Sequence, residues 1–218
     1  MLKKVKKIAL IGAKGTALNI LYQVQDAILN YGQSFSVAGI IIDDIPEGNS
    51  VGPFKVIGST DSISSLVEKT DLSFLYCLYK MDRMSERWEL LQKFNIPADR
   101  MPNFIHPLSY TSSDLNIGYG NVILSNSSVQ SEVTIGNNNI INTGVSVEHN
   151  TNLGNGNFIA ANSCIGSHVS IGSHCFIGLN SSIREDVVLG DNVFVGMHSL
   201  VLQNFKDCRI AGSPAKII

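Results

Sequence analysis

The sequence predicts a small α/β domain followed by a parallel β-solenoid, and three observations carry that prediction. Apolar residues recur at every sixth position through the second half; glycine and asparagine gather between them; and the first half alternates β-branched runs with helix-like stretches. The chain has 218 residues, enough for one large domain or two small ones. Apolar residues make up 44% and charged residues 16%, a globular composition rather than a disordered one.

The repeat decides the second half. Stepping by six from Ile117 gives Ile117, Ile123, Val129, Ile135 and so on to Val195 and Val201, and each of these positions is Ile, Val or Leu with no break in register. A period of six fits neither an amphipathic helix nor an alternating strand. It fits a solenoid in which each short strand sends one large residue inward and then turns a corner, three strands closing one triangular coil. About five such coils fit between Ile117 and Lys206, stacked roughly 4.8 Å apart, which exceeds the three or so repeats such arrays need. Ile105 and Thr111 extend the register upstream, so a partial first coil begins near Ile105. Glycine often follows the ladder residue, as at Gly118, Gly136, Gly154 and Gly166, and is expected at corners with asparagine because both tolerate positive φ. The position before each strand pair is small or β-branched, as at Ser127, Val133, Thr151 and Ser163. Asn137, Asn138 and Asn139 read as a corner with stacked side chains.

In the first half, Val5 to Ile11 is a β-branched run that meets Gly12-Ala13-Lys14-Gly15-Thr16, and a helix-like stretch follows from Ala17 to Leu29. Phe35 to Ile42 reads as a second strand ending at Asp43-Asp44, Leu72 to Leu78 as a third, and Arg83 to Phe94 as a helix. This alternation predicts a small parallel sheet with helices over residues 1–104, with the solenoid over 105–218. A glycine-rich turn between strand and helix aims backbone N–H groups and the positive end of the helix dipole at an anion. An acidic residue ending the second strand suits a ribose or base contact. Only a G-x-x-G is present and the step from Gly12 to Asp43 is long for a dinucleotide fingerprint, so a purely structural strand–turn–helix accounts for these residues equally well.

Composition excludes several classes. A net charge of −2 gives no reason to expect nucleic acid or an anionic membrane as partner, and the basic run Lys3-Lys4-Val5-Lys6-Lys7 reads as a solvated lead-in to the first strand. No apolar run approaches the roughly 18 residues that cross a bilayer, and Ile8 to Ile11 is too short for a signal peptide. Cys77, Cys164, Cys175 and Cys208 have no paired spacing and read as reduced thiols of a cytoplasmic protein.

The register from Ile105 to Ile218, closed by Ala211-Gly212-Ser213-Pro214-Ala215-Lys216, resembles the hexapeptide-repeat acyltransferases. The resemblance implies a left-handed β-helix, where the general crossover rule gives the right hand. A short Rossmann-like domain joined directly to such a helix is similar to the acetyltransferases of nucleotide-linked 4-amino-4,6-dideoxysugars in bacterial surface-glycan synthesis, an architecture shared with sialic acid O-acetyltransferases. The resemblance implies substrate contacts from Gly12, Lys14, Gly15, Thr16, Asp43 and Asp44. Lys14 stands where the family has glycine, and Thr16 where it has histidine.

Acetyl transfer to an amine needs a base and a donor for the developing oxyanion. Of His106, His149, His168, His174 and His198, His149 stands out, because Asn142 to Asn150 resembles the family's N-T-x-x-x-V-E-H-D/E segment, whose histidine is the base. The backbone N–H of Ser167, one coil further on, is the implied oxyanion donor. Asn150 replaces the acid that usually follows; it can accept a hydrogen bond from the ring but adds no charge. Glu148 is adjacent on a strand and points the other way. Phe158 replaces a second family histidine near the acetyl group, and Phe158, Ser167, Lys206 and Lys216 are the expected CoA contacts. For Lys206, Arg209 and Lys216, solvated surface charge is the alternative. His106 reads as structural and His198 as a surface or interface residue. His168 and His174 fall on successive faces, which argues against a shared metal site within one chain.

The implied activity is acetyl-CoA-dependent N-acetylation of a nucleotide-linked amino sugar, by direct attack without an acyl-enzyme. The implied assembly is a cytoplasmic homotrimer with CoA in a groove between neighbouring helices, without metal, nucleic acid or membrane insertion. Two alternatives stay open. One is a sugar O-acetyltransferase or other acyltransferase, which acceptor profiling separates. The other is a non-acetylating β-helix, a binding protein or a metalloenzyme whose histidines converge across a trimer interface, which metal analysis separates.

Overall fold

The computed structural model describes residues 5–218, so Lys3 and Lys4 of the basic run lie outside the described residues. The chain divides into two compact units: residues up to Leu78 with Glu89–Asn103, and Tyr79–Trp88 with Phe104–Ile218. No local pattern signals that the stretch Tyr79–Trp88 counts with the second unit.

The first unit is built on a five-stranded sheet. Its strands are β1 (Lys6–Ile11), β2 (Phe35–Ile41), β3 (Ser50–Val51), β4 (Phe54–Gly58) and β5 (Ser73–Tyr76), in the order β3-β4-β2-β1-β5. β4, β2, β1 and β5 run parallel, and β3 is antiparallel to β4. β1 sits between two partners, and Ile8, Ala9, Leu10 and Ile11 are fully buried. Burial on both faces explains why it reads as an unbroken apolar run rather than an alternating one. Helix α1 (Thr16–Tyr31) buries Ala17, Ile20, Leu21, Val24 and Ala27, a single stripe at helical spacing, and stops at Gly32 in the left-handed conformation. Helix α2 (Ile63–Lys69) follows, and of helix α3 (Met84–Lys93) the residues from Glu89 on count with this unit. The β3–β4 hairpin and α2 had no sequence signal, because a two-residue strand and a seven-residue helix are too short to show a period. Among the described residues no helix is long and apolar enough to cross a membrane.

The second unit is a parallel solenoid of two-residue strands on three faces. The first face begins at Tyr110–Thr111 and the second at Asn116–Ile117, while the third begins at Phe104–Ile105, the start of the partial coil expected near Ile105. Each strand pairs in parallel with the strand one coil, or 18 residues, further on: Ser128 with Ser146, Thr134 with Asn152, Ile140 with Phe158. The ladder residues from Ile123 to Val201 form one continuous core, with Ile117 partly buried at its edge. At the far end Arg209–Ala211 adds to the third face, Lys216–Ile217 turns back antiparallel to it, and Ala215 closes over the core.

The corners need a correction. The residues with left-handed φ lie three positions after each ladder residue, as at Asn126, Glu132, Asn138, Asn150, Asn162 and His168, and glycine takes that place at Gly120, Gly144 and Gly156. The glycines directly after the ladder residue do not have positive φ; they are there for space. A Cβ on Gly136 would lie 2.6 Å from the Gly154 carbonyl oxygen, and one on Gly154 2.6 Å from that of Gly172. The coils stack too closely at that point for any side chain.

The residues before each strand pair brace coil to coil. Ser127, Thr151, Ser163 and Ser181 are buried, and each hydroxyl donates to a carbonyl fifteen residues on, at 2.8–2.9 Å. Entering the third face, the same position holds Asn121, Asn139 and Asn157, all 0% exposed. Asn139 Nδ2 donates to Asn121 Oδ1 and to the Gly154 carbonyl, and its Oδ1 accepts the Asn157 N–H, each at 2.9 Å. Of the Asn137–Asn139 run, Asn139 therefore belongs to an internal ladder. Asn137 belongs to a partly buried column, accepting the Tyr119 N–H at 3.0 Å and donating its own N–H to Asn155 Oδ1 at 2.8 Å.

Candidate active site

The candidate catalytic residues His149, Asn150 and Ser167 gather on the corner between the first and second faces. One column of that corner runs Glu132, Asn150, His168, Asp186 at coil spacing, all with φ between 58° and 61°. The neighbouring column holds His149 and Ser167. His149 is exposed, follows the first-face strand Ser146–Val147 and precedes the second-face strand Asn152–Leu153.

The His149 ring is held from two sides. Its Nδ1 lies 2.8 Å from Asn150 Oδ1, and its ring meets that of His168 edge to face at 5.3 Å. Asn150 Nδ2 in turn donates to Glu132 Oε2 on the preceding coil. The backbone ties the same coils together, with the His168 N–H donating to the His149 carbonyl at 3.1 Å and the Asp186 N–H to the Ser167 carbonyl at 3.1 Å. Glu148 does point away, as strand alternation requires: its Oε1 accepts the Ser146 hydroxyl at 2.9 Å. Burial, and then the Glu148 charge, push the Cys164 thiol up. Sequence reasoning assigned no role to Glu132 and left His168 unpaired with His149. Coil arithmetic was the available signal, since the two lie 18 residues either side of Asn150.

The other expected CoA contacts lie elsewhere on the solenoid. Phe158 is on the third face, opposite the His149 corner, 7% exposed, stacked on Phe176 at 5.4 Å and 6.0 Å from Tyr79. The stack continues from Phe176 to Phe194, and the Arg209 guanidinium lies 4.5 Å above the Phe194 ring. A cleft of about 140 Å³ opens beside this stack, lined in part by Met81, Ser85, His174 and Arg209. Lys206 and Lys216 are exposed near the end of the solenoid. His106 is buried at 1%, and its Nδ1 accepts the Leu108 N–H at 3.2 Å, as a structural role requires. The His174 ring packs 5.3 Å from Trp88 and the exposed His198 lies 3.4 Å from Asn180 Nδ2. Among the described residues no group of three or more His, Cys, Asp or Glu side chains is placed to hold a metal ion.

In the first unit, the turn after β1 carries Gly12 at φ 110° and Gly15 at φ 55°, backbone shapes that favour glycine. Gly15 caps α1 without a side-chain hydrogen bond, so first-turn N–H groups of α1, which begins at Thr16, have no side-chain cap. Lys14 and Asp44 form an exposed ion pair, and the hydrogen bond from Lys14 holds the Asp44 carboxyl below the usual range. Both Asp43 oxygens are engaged by Thr60, from its N–H at 2.7 Å and its hydroxyl at 3.1 Å.

Residues 168–203 match the family described as bacterial transferase hexapeptide (six repeats). No curated protein matches the chain by sequence. Among solved structures, the chain is similar to PerB from Caulobacter crescentus in complex with CoA and GDP-perosamine, at 26% identity and a TM-score of 0.83, covering 98% of each chain. It is also similar to a mutant of perosamine N-acetyltransferase from Caulobacter crescentus, at 24% identity and a TM-score of 0.84, covering 98% of this chain and 97% of that one. A third likeness is the acetyltransferase domain of PglB from Neisseria gonorrhoeae in complex with acetyl coenzyme A, at 24% identity and a TM-score of 0.82, covering 98% and 99%. These likenesses run the length of the chain and give the fold of both units.

Proposed function

We propose that this protein is an acetyl-CoA-dependent N-acetyltransferase acting on a nucleotide-linked 4-amino-4,6-dideoxysugar in bacterial surface-glycan synthesis. On this reading residues 1–104 are a Rossmann-like nucleotide-sugar domain and residues 105–218 a left-handed β-helix. The enzyme works in the cytoplasm as a homotrimer. The observation that carries the reading is the exposed His149, tethered at Nδ1 by Asn150 so that Nε2 is the nitrogen left to take a proton. The similarity to PerB, whose structure holds CoA and GDP-perosamine, supports the choice of donor and acceptor.

The residues divide the work as follows. The sugar amine attacks the thioester carbonyl carbon and passes its proton to His149 Nε2. The carbon–sulfur bond breaks, and the CoA thiolate leaves with that proton, taken from His149 Nε2. The Ser167 N–H stabilises the oxyanion, since the coil-to-coil ladder draws on the neighbouring N–H groups of Gly166 and His168 instead. Gly12, Lys14, Gly15 and Thr16 offer a phosphate the first turn of α1 and a cation. Asp44, paired with that cation, and Asp43, held by Thr60, lie at the end of β2. In the trimer the CoA lies in the groove between neighbouring helices, where the third face of one helix, with Phe158, approaches the His149 corner of the next, and Lys206 and Lys216 serve the CoA phosphates.

The test is CoA release from acetyl-CoA with UDP-, dTDP- and GDP-linked 4-amino-4,6-dideoxysugars, wild type beside His149→Ala. Turnover of one donor that disappears in the variant supports the reading. Turnover only with hydroxyl acceptors moves the enzyme to sugar O-acetylation. Product should be read by mass as well as by thiol reagent, because Cys164 is an exposed free thiol that adds background.

A further inference from the structure

We propose that Glu132, one coil before the base, is the acid that positions His149, acting through the Asn150 amide; this rests on the reading of His149 as the general base. An ionised carboxylate only accepts hydrogen bonds, so the end of the Asn150 amide that faces Glu132 Oε2 must be its NH2 group. That orients the amide and turns Oδ1 toward His149 Nδ1 at 2.8 Å. An amide oxygen also only accepts, so Nδ1 carries the ring proton and the lone pair lies on Nε2. Glu132 thereby selects the tautomer that can act as base, from 17 residues away in the chain.

The fold explains why the acid sits there. Residue 150 holds the left-handed corner at φ 59°, a shape asparagine tolerates well, and Glu132 holds the same corner one coil earlier at φ 58°. Coils spaced at about the inter-strand distance of 4.8 Å put side chains at equivalent corners within reach. A carboxylate directly on the ring would orient it and balance its charge together. Here the two tasks are split: Asn150 orients the ring, and Glu132 orients Asn150 and supplies the negative charge.

The surrounding groups leave that side chain to the relay. Asp114, one coil before Glu132, accepts the Glu132 backbone N–H at 3.0 Å. Glu148 is engaged by Ser146 on the first face. The His168 ring meets His149 edge on from the following coil, and Asp186 continues the column beyond it. During transfer the proton taken at Nε2 makes the ring an imidazolium, whose Nδ1–H stays on Asn150 Oδ1 while the Asn150 NH2 stays on the Glu132 carboxylate.

The experiment compares the full-length wild type, Glu132→Gln, Glu132→Gln combined with Asn150→Asp, and His149→Ala. It uses steady-state kinetics with acetyl-CoA and a nucleotide-linked amino sugar, and ring ¹⁵N shifts of the His149 imidazole read on the protein without substrate. Wild type should show a single Nδ1–H tautomer for His149. Glu132→Gln should mix the two tautomers and lower kcat on the order of tenfold, the scale set by groups that orient a working histidine. Both KM values and the melting temperature should stay as in wild type. Placing aspartate at 150 in the Glu132→Gln background should restore kcat, because the carboxylate then bonds the ring directly. An unchanged tautomer and kcat in Glu132→Gln, or a double variant no faster than Glu132→Gln, overturns the relay. If His149→Ala turns over like wild type, the general-base reading itself fails and takes the relay with it; loss in His149→Ala with no effect of Glu132→Gln sinks the relay alone.

Discussion

Two asparagine positions of the solenoid, both set by the 18-residue coil, sit in opposite surroundings. The inner column, Asn121, Asn139 and Asn157, is wholly buried, and its amides bond to backbone and to one another. On the corner column, Asn150 spends its amide on two side chains, His149 and Glu132. The residue type and spacing are shared. What differs is the partner: an amide satisfied by neighbouring coils stabilises the stack, while an amide handed to an exposed imidazole holds that ring in one orientation.

That contrast can be broken at either column. The largest effect belongs to the corner. His149→Ala should cost about 10²–10⁴-fold in kcat, the range for removing a general base, with an unchanged melting temperature, as checked by initial rates and calorimetry on one preparation. Loss of stability in step with activity would erase the distinction.

The inner column should answer in reverse. Asn157→Leu strips the partners from the Gly172 carbonyl and the Cys175 N–H, which Asn157 meets at 2.8 and 2.7 Å. Two buried groups left unsatisfied should destabilise the solenoid by roughly 2–5 kcal/mol, read by denaturant unfolding, while kcat per folded molecule is kept. A cost below that of trimming the apolar ladder would mean the amides are passengers. Ile159→Val, at a fully buried ladder position, gives that reference and should cost about 0.5–1.5 kcal/mol.

The smallest effect lies in the first unit, where the charges are exposed. The Asp44 carboxyl is held low by Lys14, so the pair contributes stability above the ordinary carboxylate range and loses it as pH falls through the folded value. Asp44→Asn should therefore melt slightly below wild type at pH 7, with the gap closing only as pH falls below the ordinary carboxylate range. A large gap at pH 7 would show that the turn depends on this ion pair for its shape.

Legibility followed the length of each pattern. The ladder from Ile117 to Val201 recurs without interruption, so the coil, its 18-residue length and its start near Ile105 could be read from residue types alone. The buried run of β1 and the stripe of α1 were visible for the same reason. The β3–β4 hairpin was not, because two-residue Ser50–Val51 shows no alternation. The ladder glycines were located correctly and explained wrongly: a composition pattern cannot separate a glycine needed for positive φ from one needed for a 2.6 Å approach between coils. The Asn137–Asn139 run was read as one corner, and the structure sends Asn137 and Asn139 to different columns.

The sequence by itself determined the periodic part of this protein, because one large apolar residue in every six fits a coil of short strands that buries them all on one axis. It also marked His149 as a candidate base, through the resemblance of the segment around it to a family motif. Tertiary structure alone decided which atoms His149 meets. Glu132, Asn150 and His168 become neighbours only when coils stack, and the orientation of one amide between a carboxylate and an imidazole depends on rotamers that no spacing rule specifies. The same holds for Phe158, whose place beside Phe176 follows from the coil but whose contact with Tyr79 joins residues nearly 80 positions apart. Periodicity is a local property repeated, and a site is a meeting of distant residues that folding has to bring about.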